Sequence, residues 1–530
     1  MGAGLNVLNA AYAGGADPTG AADSTAAIQA ALSAAAPGQV IRLPSGTYKT
    51  TAPLAMPPGV ILRGDSGYDP SAWGDKASVI KPSAAFTGAA VITMNDVANV
   101  PTQGPRIYDL AIDGSALGVT ADGILATGPV LHTVIEGVSV ATVTGVGINT
   151  AKNVSAAPQA PFGWRVRHVR LRACAGGGAF LTIHNDSTWT DVLVLGCGGT
   201  TLDGFVITNA DNTQFNGCRA EWSGANGFHI TGAWFTGTGC GGCALTGCST
   251  DRNTGNGVLI DGTAGADPIV ITGLMLRRDG RNAGTGGGSF AGLKCSATSL
   301  PVVISGVTCF PGVDDTGTGT SSPQYGVSIV STCTQVSLDN ASLHAASQGL
   351  NNDGTSVLSL GRNLAYTTGP TNTPTRYRGG RIVVVKPGNT ARTSVIVPAA
   401  DPDLTVQLPA NAQFTFRFVL IADGPASNAA NLFTGMTAPA SSTTIWAISG
   451  LRVAATGISD SWVAQAATST AGTRAVGLAG VGTPTVAVME GVITTAATAG
   501  TFALNWSQSV SNVTATTLYA GSTMTLEQVA

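Results

Sequence analysis

One feature constrains this chain more than any other: a seven-residue pattern, hydrophobic-x-x-hydrophobic-x-hydrophobic-x, that returns at least nine times. It begins at Ile107 (IYDLAID), Ile135 (IEGVSVA), Val166 (VRHVRLR), Val192 (VLVLGCG), Phe215 (FNGCRAE), Leu245 (LTGCSTD), Ile271 (ITGLMLR), Ile304 (ISGVTCF) and Leu338 (LDNASLH). Successive copies lie 23 to 34 residues apart. Each is followed by a Gly that opens a second short alternating run, as in Gly204-Phe-Val-Ile207, Gly227-Phe-His-Ile230 and Gly257-Val-Leu-Ile260. Alternation sends one set of side chains inward and the next outward, and the glycine reads as a tight backbone corner. A unit of this size cannot bury a core alone and must stack on its neighbours. The expected architecture is a solenoid of strand coils, a parallel β-helix, with uneven turns that exclude a strict hexapeptide or nonapeptide repeat.

Composition fits that reading. Of 530 residues, 71 are Gly and only 10% are charged, against roughly 25% in an ordinary domain. The mean hydropathy of +0.25 comes with no run near the roughly 18 apolar residues that a membrane-spanning helix needs, so membrane insertion is not expected. A net charge of −3 and the absence of a long basic run disfavour nucleic acid, which requires phosphate neutralisation. Nine cysteines fall between Cys174 and Cys333, and the Met1-Gly-Ala-Gly-Leu-Asn start lacks the features of a secretory signal. Buried thiols are therefore expected rather than a disulfide framework. Cys240-Gly-Gly-Cys243 has no second pair at zinc-ribbon spacing; no metal and no cofactor is expected.

Upstream, Asp23 to Ala36 predicts a helix capped by Asp23 or Ser24, with Ile28 and Leu32 on one face and Pro37-Gly38 as its stop. Its place is over the open end of the solenoid, where strand edges need cover. The segments Tyr12-Ala-Gly-Gly-Ala-Asp-Pro-Thr-Gly20, Asp23-Ser-Thr-Ala-Ala-Ile-Gln-Ala-Ala-Leu32 and Val40-Ile-Arg-Leu-Pro-Ser-Gly-Thr-Tyr48 resemble the N-terminal signature of the pectate-lyase-like superfamily. This superfamily includes polygalacturonase-like enzymes and many bacteriophage tailspikes. The resemblance implies a right-handed parallel β-helix. It implies no particular reaction, because one fold hosts many.

The coil pattern stops at Tyr366 to Gly380, a Gly/Pro/Thr-rich break. Beyond it, Arg381-Ile-Val-Val-Val385, Phe414 to Ile421, Val486 to Glu490, Thr501 to Trp506 and Met524 to Glu527 alternate between turn signals. They predict an antiparallel β-sandwich of jelly-roll type. The expected divisions are 1–38 (N-terminal segment and capping helix), 39–365 (β-helix), 366–380 (linker) and 381–530 (sandwich). Ala410 to Phe418, Leu504 to Gln508 and Thr514 to Ser522 resemble C-terminal modules of actinobacteriophage and prophage tail proteins. That resemblance implies a tailspike or minor tail protein: a homotrimer on phage tail or baseplate proteins, made in the host cytoplasm, carried on the virion tail and directed at a host surface glycan. A non-catalytic receptor-binding fibre and a stand-alone polysaccharide hydrolase or lyase are the rival readings.

Stacking the repeats puts their last, outward position in one column: Asp113, Ala141, Arg172, Gly198, Glu221, Asp251, Arg277, Phe310 and His344. Glu221 and Asp251 then lie on adjacent coils, about 4.8 Å apart at the backbone, within reach of the carboxyl spacings of glycoside hydrolysis. In that reading one acid protonates the leaving oxygen and the other attacks or activates water; Asp203, Asp211 and Asp279 are secondary candidates. Trp222, Trp189, Tyr325, Arg252 and Arg277 are candidate glycan contacts, the aromatics being equally suited to burial where chains pack together. The competing reading is an ion ladder, in which Arg219, Arg252, Arg277 and Arg278 neutralise these acids. Asp314-Asp315 resembles the paired aspartates of polygalacturonases, but the accompanying Asn-Thr-Asp, Gly-His-Gly and Arg-Ile-Lys motifs are missing. His229 and His344 read as solvated surface residues.

Overall fold

A computed structural model describes residues 5–66, 78–95, 102–150, 161–231, 242–261, 268–281, 290–296, 301–330, 332–333, 335–352, 358–360, 365–366, 381–425, 430–452, 462–467 and 472–529. Two compact units part in the stretch around residues 356–373. The break at 366–380 lies, but for Tyr366, outside the described residues.

The first unit is a parallel β-helix. Its inward positions form continuous columns, each side chain sitting on its counterpart in the next coil. One runs Ile41, Leu62, Ile107, Ile135, Val166, Trp189, Phe215, Leu245, Ile271, Ile304, Leu338, all of them buried. A second arm runs Ile112, Val140, Leu171, Val194, Ala220, Thr250, Leu276, Cys309. A third wall, an 11-stranded parallel sheet, stacks Ile124, Ile148, Ala179, Phe205, Phe228, Val258, Leu293, Val327 and Leu350.

The columns correct the repeat at one coil. Val166 pairs with Trp189 and Arg172 with Leu195, so the unit begins at Trp189 (WTDVLVL) and not at Val192. Leu195, not Gly198, fills the outward column. The three-residue error arises because Val192 and Val194 also satisfy an apolar pattern. It hid the role of Trp189, which is fully buried as an inward member of the first column and is no glycan contact.

The glycine opening each third-wall strand has a different cause from the corner expected. None of Gly123, Gly147, Gly178, Gly204, Gly227, Gly257, Gly292 and Gly326 has a positive φ. A Cβ on any of the eight would instead lie 2.5–2.9 Å from the carbonyl oxygen of the corresponding glycine in the next coil. Close approach of successive coils, not backbone handedness, requires Gly here.

The helix spans Thr25–Ala34 and buries Ala27, Ile28, Ala31 and Leu32. Ser24 makes no side-chain cap; Asp23 Oδ1 accepts from Thr25 N at 3.0 Å and from Thr25 Oγ1 at 2.6 Å. Gln29 donates to Ala55 O at 3.1 Å and accepts from Ala55 N at 2.8 Å. Leu54–Ala55 is the edge of the 11-stranded sheet, so one side-chain amide stands in for the missing strand. Eight cysteines are described, all of them buried thiols; Cys240 lies outside the described residues.

The second unit is built from antiparallel strands. One sheet runs in the order Arg381–Val385, Thr523–Gln528, Gln413–Asp423, Thr485–Thr494, Thr443–Leu451, Trp462–Ala467. The other runs Ala399–Leu408, Gly500–Gln508, Leu432–Thr437, Arg474–Val476. The alternation of Phe414, Phe416 and Phe418 buries all three rings, and Phe416 and Phe418 meet Phe502 of the facing sheet at 5.1 and 5.8 Å. No helix among the described residues is long and apolar enough to cross a membrane.

Candidate functional site

The second arm leaves its sheet through a single left-handed residue per coil. In successive coils these are Thr142, Ala173, Gly196, Trp222, Arg252 and Arg278, with φ between 50° and 62°. Their amides keep the coil-to-coil ladder, Trp222 N donating to Asp251 O at 2.9 Å and Arg252 N to Arg277 O at 3.1 Å. The left-handed conformation disfavours residues with a bulky side chain by about 1–2 kcal/mol. Trp222, Arg252 and Arg278 accept it in three consecutive coils, directly after Glu221, Asp251 and Arg277.

Glu221 and Asp251 are register partners, and Arg277 follows Asp251. Asp251 is clasped by Arg278, which donates from Nε to Oδ1 at 2.8 Å and from Nη2 to Oδ2 at 2.5 Å; Arg277 stands at 3.7 Å. Arg278 also pairs with Asp315. Asp251 and Asp315 together hold its guanidinium above the usual arginine range despite some burial, the Asp251 hydrogen bond being the largest influence. Glu221 is more loosely engaged, 3.7 Å from Arg219, with 28% of its side chain exposed against 14% for Asp251.

Arg252 was expected on the surface and is only 1% exposed. It pairs with Asp314, and its guanidinium lies 5.8 Å from the Trp222 ring. It is an internal strut, and burial followed by the neighbouring Arg278 and Arg281 charges lowers its pKa. Trp222 is half-buried with Arg281 over its face at 4.9 Å. Asp314-Asp315 therefore sits on an excursion, closed by the Gly312–Ser322 bridge, that folds back onto two corner arginines.

Asp279 also departs from expectation: it is fully buried and points at no surface. Its carboxyl accepts from Thr250 Oγ1 at 2.5 Å and from Asn253 N and Nδ2 at 3.2 and 2.8 Å. Burial pushes it up to about 7, against these hydrogen bonds. An acid raised above its ordinary 3.8 destabilises the fold as pH climbs from about 4 to about 7, since only the unfolded chain ionises freely. Asp279→Asn should remove a loss of about 2–4 kcal/mol across that window. Melting curves at both ends of the window test this, and equal pH dependence in variant and wild type would refute it.

The remaining acids do not join this wall. Asp211 lies before the Gln214–Asn216 strand. Asp203 lies beside the third wall, where His229 bridges two carboxylates, Nδ1 to Asp203 Oδ2 at 2.7 Å and Nε2 to Asp261 Oδ2 at 3.0 Å. Burial alone would lower the imidazole, but the two aspartates raise it to about 9. His229 is thus half-buried and paired, not a solvated surface residue. Asp261 was not singled out in the sequence, because no spacing rule connects it to His229 across a turn. Tyr325, half-buried, opens a third-wall strand between Ala291 and Gln348.

Stacked parallel coils with polar, arginine-laced corners define the class as a parallel β-helix protein. A family profile described as "Rhamnogalacturonase A/epimerase, pectate lyase-like" matches residues 11–220, less than half of the chain. Among solved structures, the chain is similar to the N-terminal fragment of gene product 12 of bacteriophage phi29, at 16% identity and a TM-score of 0.50 over 71% of this chain and 72% of that one. It is also similar to the enzymatically active domain of tailspike protein 2 of bacteriophage CBA120, at 14% and 0.49 over 100% and 83%. A third is the A-module of the mannuronan C-5 epimerase AlgE6 of Azotobacter vinelandii, at 16% and 0.47 over 70% and 100%. At such identities the likeness is one of fold.

Proposed function

We propose that this chain is a bacteriophage tailspike or minor tail protein: a homotrimer joined to tail or baseplate proteins, made in the host cytoplasm, that binds a host surface polysaccharide during adsorption. The observation that carries this reading is the corner wall of Glu221, Trp222, Asp251 and Arg277, where an aromatic face, carboxylates and guanidinium groups share three coils of a rigid solenoid. Sugars are recognised by such a mixture, their C–H faces stacking on rings and their hydroxyls bonding to charged groups. The fold likeness to a phage protein and the match to a polysaccharide-directed family support it. Assembly is supported by exposed apolar side chains in the second unit, among them Val383, Val385, Ile396, Val397 and Ile445.

Cleavage at Glu221 and Asp251 is the second reading, favoured by their register. Arg278 argues for binding, because its guanidinium occupies both oxygens of Asp251. Incubating the protein with purified host envelope glycan tests both. Retention of the glycan without new reducing ends supports binding alone. Reducing ends that vanish in Glu221→Gln and Asp251→Asn support cleavage, and no retention at all refutes the proposal. Light scattering on the same sample should give three times the 52.8 kDa chain mass.

A further inference from the structure

The junction between the first and second arms also turns through one left-handed residue per coil. In the later coils it is glycine, at Gly217, Gly247, Gly273 and Gly306, with φ of 59–68°. In the earlier coils the same corner carries Asp109, Gly137, His168 and Asp191, with φ of 50–66°. Asp and His tolerate this region better than most residues but are still disfavoured against Gly. Three ionisable side chains thus occupy positions that the other coils fill with Gly137, Gly217, Gly247, Gly273, Gly306 and Asn340. All three line one cleft of about 540 Å³, within the roughly 300–1,000 Å³ of small-molecule sites.

The cleft has an apolar floor and a cationic side. Arg170, Leu193 and Arg219 are register partners in three successive coils, so two guanidinium groups flank a leucine at about 9–10 Å backbone separation. Arg170 belongs to the Arg165–Arg172 strand (RVRHVRLR), which holds four of the chain's 26 Lys and Arg residues. Opposite, Asp109 Oδ2 accepts from Arg63 Nη2 at 3.2 Å, while its Oδ1 extends over Gly137. A Cβ at Gly137 would lie 2.6 Å from that oxygen, so the floor there stays open only because the residue is glycine.

We propose that this cleft is a second saccharide site, meeting the Glu221 wall at Arg219 and specific for a sugar bearing an oxyanion, whether a carboxylate or a phosphate. The ring's C–H face lies on Leu193. The oxyanion takes the paired donors of Arg170 or Arg219, as guanidinium groups favour. Ring hydroxyls donate to Asp109 and Asp191. This inference rests on the glycan-binding function and places part of it at a named position.

The test is calorimetric titration of the full chain with three probes: tetragalacturonate, a glycerol phosphate tetramer and neutral maltotetraose. One of the two acidic probes should bind at least tenfold more tightly than maltotetraose, and weaken as salt rises from about 20 to about 200 mM. Arg170→Gln, at a half-buried position, and Arg219→Gln, at an exposed one, with unaltered melting temperature as the control for folding, should each cut that affinity at least tenfold. Arg417→Gln, an exposed change in the second unit, should leave it unchanged. Acidic probes that bind no better than maltotetraose, or as well to both arginine variants, overturn the site. If Trp222→Ala alone abolishes binding, the cleft is refuted and the glycan-binding function stands. Failure of the wild type to retain envelope glycan refutes that function separately.

Discussion

Trp189→Ala should cost the solenoid about 3–5 kcal/mol, the range for truncating a buried large aromatic, and lower the melting transition of the first unit by several degrees. The indole is wholly buried. It stacks on Phe215 at 6.1 Å and meets Phe205 edge-on at 6.5 Å, and Phe205 lies flat on Phe228 at 4.5 Å. Its Nε1 donates to His184 Nε2 at 3.2 Å, which places the imidazole proton on Nδ1. Burial lowers His184 to about 3 and keeps it neutral. Truncation therefore opens a cavity in an aromatic stack and strips a buried acceptor of its donor. Trp189→Phe should recover most of the packing and lose only the hydrogen bond, about 1 kcal/mol. Calorimetry of both variants decides the point; a Trp189→Ala loss under about 1 kcal/mol would show that the stack does not hold the coils together.

The inward columns were legible because burial repeats in them: Ile107, Ile135, Phe215, Leu245 and Ile271 are apolar, open the same seven-residue pattern and stack in register. The pairing of Glu221 with Asp251 followed from the same register. The pattern slipped where two apolar frames overlapped, at Trp189 and Val192. What it could not carry was the geometry of corners. Pattern alone assigns Trp222, Arg252 and Arg278 to turns, but a left-handed residue changes where its side chain goes, so Arg252 reads as surface and is internal. Asp279 misled for a related reason. A polar residue after a strand is expected outside, yet Thr250, an inward member of the second arm, gives this carboxyl a hydroxyl donor in the core. The left-handed corner of Asp109, His168 and Asp191 is the third position of the repeat, often Gly, Asp or Asn, so its recurrence was legible, but its backbone conformation and the cleft it lines were not.

The largest effect in the second unit is expected at Lys386. Its side chain is fully buried, with Nζ 3.0 Å from both oxygens of the equally buried Asp401 and 2.6 Å from Asp403. The two aspartates lie within a register shift between Ala400 and Thr405, where the Ala399–Leu408 strand breaks its ladder. Asp401 further accepts from Trp506 Nε1 at 3.0 Å and from the amides of Asp403 and Leu404 at 3.0 and 3.1 Å. Burial would raise this carboxyl, but Lys386 and then Trp506 bring it below the usual range. Lys386→Met removes the cation and leaves the charge, and should cost about 3–5 kcal/mol. Adding Asp401→Asn removes the stranded charge and should return a substantial part of that loss. The pH dependence supplies an independent sign. In Lys386→Met the unpaired Asp401 has its pKa raised, so the variant's deficit should shrink as pH falls through the raised value and grow again as it rises. A deficit that is independent of pH, or a double variant no more stable than Lys386→Met, would show that the lysine acts through packing of its aliphatic stem and not through its charge.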